Sequence, residues 1–167
     1  MEISQIKFRP QNLRNGDLIF WRGDSPGKWM SYLNLVRVAT LSDFGHVSIA
    51  WPKPEAVQHV EAAQPVIHRT QLPSEAEVFV TPMNLGLCDR DMESYFQDKL
   101  GKRYSMRDAL YGYFGIYSND LNRWQCAELA EDFCNHHGLS IRGGSTPSRL
   151  LHRVMREYGV PLYRLIH

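Results

Sequence analysis

The chain has 167 residues, and its 19 Lys and Arg against 18 Asp and Glu leave a formal balance of +1 with no run of like charge. That balance argues against a nucleic-acid footprint and against electrostatic membrane binding, and no stretch has the length and apolarity of a membrane span. The length fits one domain, able to bury roughly 70% of the surface its unfolded form exposes, so no metal or disulfide staple is required.

Asn15-Gly16-Asp17 reads as a turn, and Leu18-Ile19-Phe20-Trp21 as a short buried strand closed by Arg22-Gly23-Asp24. Ser25-Pro26 is a cap followed by a first-turn proline, opening a helix with Trp29, Leu33 and Val36 on its core face. The next strand is Val47 to Trp51, where Val47, Ile49 and Trp51 point one way and His46, Ser48 and Ala50 the other. Pro52-Lys53-Pro54-Glu55 is turn material, and Ala56 to Ala62 is strand-like again. A four-residue loop places Trp51 against Ala56, which puts His46 directly opposite Glu61 and His59 opposite Ser48, all on one face. A carboxylate in that position holds one imidazole nitrogen and leaves the other to take a proton. A slip of one residue would turn Glu61 to the far side. His59 is the competing base, and His68 belongs to a polar, solvated connection from Gln64 to Thr70.

Glu77 to Thr81 is a fourth strand, and Asp91 to Leu100 a helix ended by Gly101. After Lys102-Arg103-Tyr104, Ser105 caps a further helix, and the aromatics from Tyr111 to Tyr117 either join the core or wall a groove. In the stretch from Trp124 to Gly138, Leu129, Ala130, Phe133, Cys134 and His137 recur at helical spacing. Thr146-Pro147 starts a last helix with Leu150, Leu151, Val154 and Met155 on one side and Gly159 at its end. Val160 to Ile166 is a closing strand, with Pro161 keeping it to an edge. Strands gather early and return at the end while helices fill the middle, which predicts an α+β fold with an antiparallel sheet.

Cys126 falls in the first turn of the 124–138 helix, where unpaired N–H groups and the helix dipole favour an anion. A thiol so placed can drop from about 8.5 into the range of roughly 3.5–7.5 and become a nucleophile near neutral pH. The cysteines at 88, 126 and 134 make no disulfide framework, and Cys126 and Cys134 are too far apart on one helix to bridge. Cys134 and His137 share a helical face but His136 points away, so no metal site is expected; no phosphate loop or Gly-x-Ser-x-Gly elbow is present, and no cofactor is implied. Met1 to Pro10 lacks the apolar core of a secretory signal, which predicts a cytoplasmic chain or one exported by a dedicated route.

Five segments, Gly16-Asp17-Leu18-Ile19-Phe20, Ala39-Thr40 with Ser42, Gly45-His46-Val47-Ser48-Ile49, Leu100-Gly101-Lys102-Arg103-Tyr104 and Gln125-Cys126-Ala127-Glu128-Leu129, together resemble the NlpC-type branch of the papain-like superfamily. Ordinary members carry the Gly-Lys-x-Tyr and Cys segments first. Here the halves are exchanged, as in the circularly permuted subgroup of YiiX-like amidases, over roughly residues 16 to 135. The resemblance implies a permuted papain-like fold over 1–167, an antiparallel sheet or partial barrel against helices, with the nucleophile at a helix start. It implies Cys126 as nucleophile, His46 as general base, Glu61 as the group orienting the imidazole, and Tyr104 beside the reacting carbonyl, with Gln125 auxiliary. Ordinary members have Asp-Cys-Ser-Gly where this chain has Gln125-Cys126-Ala127-Glu128, so the oxyanion donors stay open apart from the Cys126 backbone N–H.

The activity implied is hydrolysis of an amide bond in peptidoglycan stem peptides through an acyl-enzyme. Two alternatives stand beside it. One is lipid acyl transfer of the lecithin:retinol acyltransferase type, against which the chain lacks the Asn-Cys-Glu-His run of those proteins. The other is a binding module that kept the fold and lost the chemistry. Oligomeric state is not legible.

Overall fold

The structure is a computed structural model that describes residues 4–22, 43–74, 77–105, 122–143 and 146–166. The expected helix after Ser25-Pro26, the Ala39 to Ser42 segment and the Tyr111 to Tyr117 aromatics lie outside those residues.

The strands are β1 (Ser4–Phe8), β2 (Leu18–Trp21), β3 (His46–Ala50), β4 (Gln58–Ala62), β5 (Ile67–Gln71), β6 (Val78–Thr81) and β9 (Tyr163–Leu165), with a separate short pair β7 (Arg103–Tyr104) and β8 (Arg123–Trp124). The helices are α1 (Asp89–Phe96), α2 (Cys126–His136) and α3 (Pro147–Tyr158). The seven strands lie in the order β1-β9-β6-β2-β3-β4-β5. The five pairings from β9 through β5 are antiparallel, and β1 joins β9 in parallel. The fold is mixed α+β, and the sheet is open, with β1 and β5 as its edges and no closed barrel among the described residues.

Leu18 to Trp21 is apolar without alternation because both faces of this central strand are covered. Leu18 and Phe20 enter one core with Val47, Ile49, Phe96, Phe133, Leu150 and Val154; Ile19 and Trp21 enter a second with Ala50, Val78 and Val80. The helices lie on the first of these faces, where Phe96 and Phe133 stack with ring centres 5.7 Å apart. Burying a side chain of that size is worth about 1.5–3 kcal/mol, so the α1 and α2 contact is a main tie between helix layer and sheet. The α3 helix begins where Thr146 Oγ1 accepts the Arg149 N–H at 3.3 Å and ends at Gly159, whose φ of 65° is the left-handed cap glycine tolerates.

Three expectations need correction. The Gln64 to Thr70 stretch is not a connection alone, because Ile67 to Gln71 forms the edge strand β5. The closing strand is not at an edge: β9 sits between β1 and β6, and Pro161 precedes the paired residues and so costs no ladder bond. The hairpin register between β3 and β4 is two residues from the expected one, since Ile49 faces Val60 and Ala50 faces His59. Its loop is tighter, closed by reciprocal hydrogen bonds between Lys53 and Ala56. A shift of two keeps every side chain on its expected face.

The turn at 15–17 clamps this arrangement. Gly16, at φ 88°, adopts a left-handed conformation that strains other residues, and a Cβ there would stand only 3.1–3.3 Å from Leu87, Phe133 and Leu85. Asp17 is buried, and its carboxylate accepts the Arg14 N–H at 2.9 Å and the Met83 N–H at 3.0 Å, while its carbonyl accepts the Ala50 N–H at 2.8 Å. D17A leaves two backbone donors without their acceptor and should cost about 1–3 kcal/mol in urea unfolding. Burial raises the Asp17 pKa from 3.8 to about 6 despite the opposing backbone hydrogen bonds. The extra stability linked to its protonation is therefore fully present below pH 3.8 and is lost as pH rises through about 6, a decline the D17A variant should not show.

Candidate active site

His46 is the first residue of β3 and Cys126 the first residue of α2. Three connections bring those two starts together. The α2 helix packs on β3 and β4. The segment before it, β8, pairs in parallel with β7, matching Trp124 to Tyr104. That strand is in turn tied to the sheet's edge, where the Ile67 N–H donates to the Lys102 carbonyl at 2.8 Å and the Tyr104 N–H to the Pro65 carbonyl at 3.0 Å. The helix tip is thus fastened beside the end of β4 and β5 that carries Glu61 and His68.

His46 Nε2 lies 2.7 Å from Glu61 Oε2. In the observed register Glu61 is a diagonal neighbour of His46 rather than its direct partner, a separation that a long side chain spans. His46 is also hydrogen-bonded to Cys126. His46 is 2% exposed, Cys126 6% and Glu61 6%. Trp21 walls the site, its ring centre 6.1 Å from that of His46 and its Nε1–H donating to Ser48 Oγ at 3.0 Å.

Burial alone would lower the His46 pKa, but the charge and hydrogen bond of Cys126, joined by those of Glu61, outweigh it and raise it to about 10. For Glu61, burial acts to raise the pKa and is outweighed by its hydrogen bonds to His46 and His68, which hold the carboxyl well below the usual carboxylate range. The arrangement favours a charged imidazolium between a carboxylate and a sulfur, the ionic form in which a cysteine is a nucleophile.

Gln125 is buried as the residue before α2, and its N–H donates to the Glu128 carboxylate at 3.4 Å. The Cys126 N–H, as the first of the helix, has no intrahelical acceptor. Tyr104 is half-buried beside Trp124, two residues before the sulfur. His59, the competing base, faces Ala50 and Thr70 and packs on Trp21 at 5.2 Å. Burial lowers its pKa to about 4, and neither ring nitrogen has a partner among the described residues. Cys134 is inert, since burial pushes its thiol up to about 12.

His68 is the residue that the sequence reading misplaced. It stands directly opposite Glu61 on β5, its Nε2 3.1 Å from Glu61 Oε1. The signal for it was faint: Ile67-His68-Arg69-Thr70-Gln71 has no apolar alternation, because an edge strand in this place shows most of its side chains to water.

No family model matches the sequence, and no curated protein matches it. The fold does have a relative among solved structures. The chain is similar to the crystal structure of metalloprotein yiiX from Escherichia coli O157:H7, DUF1105, with a TM-score of 0.52 over 87% of this chain and 82% of that one. Sequence identity is 19%, so the likeness is one of fold. No described helix is long and apolar enough to cross a membrane.

The buried pair gives a signed expectation for stability. Glu61, with its pKa depressed, contributes above its unfolded value of 4.5 and loses that contribution as pH falls. His46 contributes fully below 6.5 and loses it as pH rises through about 10. Denaturant titration should therefore find E61Q most destabilised relative to wild type between these limits, near pH 5.5, and less so near pH 10.

Proposed function

We propose that this chain is a cysteine hydrolase of the circularly permuted NlpC type that cleaves an amide bond in peptidoglycan stem peptides. The observation that supports it most is the buried contact of the helix-start residue Cys126 with His46, whose Nε2 is held by Glu61. The order of the sequence segments supports the permuted assignment, and the substrate class follows from the resemblance alone.

In this reading the Cys126 thiolate attacks the amide carbon, forming a C–S bond while the carbonyl oxygen takes the electron pair. The Cys126 N–H, without an acceptor inside the helix, faces the developing charge. As the C–N bond breaks, His46 gives its proton to the departing amine. A water then yields a proton to His46 and attacks the thioester, releasing the acid and restoring the thiolate. Glu61 keeps the imidazole oriented through both steps and compensates its charge.

The structural relative is titled a metalloprotein. Among the described residues of this chain no three His, Cys, Asp or Glu side chains are grouped to hold an ion. His46, Glu61 and Cys126 are hydrogen-bonded to one another instead of converging on a common point, so the donors of this site do not fit a metal and no step is routed through one.

Purified protein incubated with muropeptides should release a free amine, and mass spectrometry should catch an acyl adduct on Cys126. C126A should abolish turnover, and H46A should lower kcat/KM by about 10³-fold or more. Wild-type protein that leaves every muropeptide intact but takes an acyl group from a phospholipid at Cys126 would overturn the substrate class and favour lipid acyl transfer. Turnover unaltered in C126A would overturn the hydrolase.

A further inference from the structure

We infer that His68 is a positioning residue for the Cys126 and His46 pair, acting through Glu61: it fixes the carboxylate that holds His46 and, by gaining or losing its own proton, sets how firmly His46 keeps one. The inference rests on the proposed cysteine site and deepens it.

Glu61 has two oxygens and each engages one histidine, Oε2 with His46 Nε2 at 2.7 Å and Oε1 with His68 Nε2 at 3.1 Å. The other nitrogen of His68, Nδ1, is 2.9 Å from the Val66 carbonyl. Both partners of His68 are pure acceptors at neutral pH, a carboxylate and a backbone carbonyl, so making both bonds requires an N–H on each nitrogen. That is the imidazolium. The Glu61 hydrogen bond is the first cause raising the His68 pKa, ahead of the opposing effect of partial burial.

His68 also differs from the rest of the chain of contacts in its access to water. Its side chain is 36% exposed on edge strand β5, against 3% for that of His46 and 8% for that of Glu61. Cys126, His46, Glu61 and His68 therefore form a continuous line from a buried sulfur to the surface, and the outer end is the member solvent reaches. The titratable groups facing His68 are Glu61 and, behind it, His46 and the neutral His59. Lys102 and Arg103 come from the segment running beside residues 66–67 at the same edge.

The consequence has a definite sign. A charged His68 draws on the one negative charge of Glu61 and repels the His46 imidazolium, which weakens the thiolate–imidazolium state of the site. A neutral His68 leaves Glu61 to His46. Glutamine at position 68 can keep the donor to Glu61 while removing the charge; alanine removes both.

The test is the rate of iodoacetamide labelling at Cys126, read by peptide mass against pH so that exposed Cys88 does not interfere. H68Q should move the pH profile of Cys126 labelling down by about one pH unit relative to wild type, the low end of what a nearby charge does, and keep the plateau rate, whereas H68A should lose plateau rate because Glu61 is no longer fixed. Histidine NMR gives a second measurement independent of the His68 variants: His68 should titrate above the ordinary histidine value in wild type and return to it in E61Q. An H68Q inflection that stays put or rises, or a His68 that titrates at the ordinary value in wild type, overturns the inference and leaves the cysteine site standing. A Cys126 labelling rate that H46A leaves unchanged overturns the cysteine site, and the inference with it.

Discussion

The contact between Glu61 and His46 is the constraint around which the described part of this molecule is arranged. Two ionisable groups with almost no access to water stand 2.7 Å apart. Removing either charge from water alone would be costly, and the cost is met here by three partners: the carboxylate, the sulfur of Cys126 hydrogen-bonded to the imidazole, and His68 on the other side of the carboxylate. Such an arrangement is stable only if all its members are held at once. Their positions come from four separate pieces of chain, β3, β4, β5 and the tip of α2, which explains why so much of the backbone bonding converges on residues 64–67, 101–104 and 123–126.

Parity, not exact register, protects this contact. The hairpin of β3 and β4 is closed two residues further along than a four-residue loop would have it, yet His46 and Glu61 still meet because side chains repeat every two residues along a strand. The loop length that misleads is Pro52-Lys53-Pro54-Glu55, where two prolines suggest that all four residues are turn; Lys53 nonetheless bonds across to Ala56. The face of each residue was legible from Val47, Ile49 and Trp51 against His46, Ser48 and Ala50, whereas the partner opposite each was not.

Local pattern also carried the turn at Gly16 and the helices α2 and α3, since Thr146 with Pro147, Gly159 and the apolar spacing of α2 are signals contained within a few residues, whereas α1 runs over Asp89–Phe96 and not on to Leu100. What it could not carry was pairing between distant segments. The first strand joins β9 in parallel, linking Ser4 to Tyr163, and nothing in either segment names the other. β5 was hidden for a different reason. An edge strand needs little apolar surface, so His68, Arg69 and Thr70 read as connection, and the histidine that touches Glu61 passed for a solvated one. The likeness to the yiiX structure at 19% identity extends the same point: a chain path can be shared when few side chains are, and the chemistry has to be argued from the side chains that are here.

Three histidines surround one carboxylate, and their differing surroundings separate their behaviour. His59 is shut against Trp21 with no partner for either nitrogen among the described residues, and burial drives it to stay neutral, with a pKa lowered to about 4. His46 is equally buried but lies between Glu61 and Cys126, so the same desolvation is overcome and the ring is held protonated. His68 has the carboxylate without the full burial, and its pKa rises with water still at hand. A neutral His59 beside Glu61 leaves the carboxylate's charge undivided between the two rings that bond to it. Were His59 charged as well, three cations would crowd one carboxylate, and His59, buried and without a bond to Glu61, would be the least favourable of them to keep.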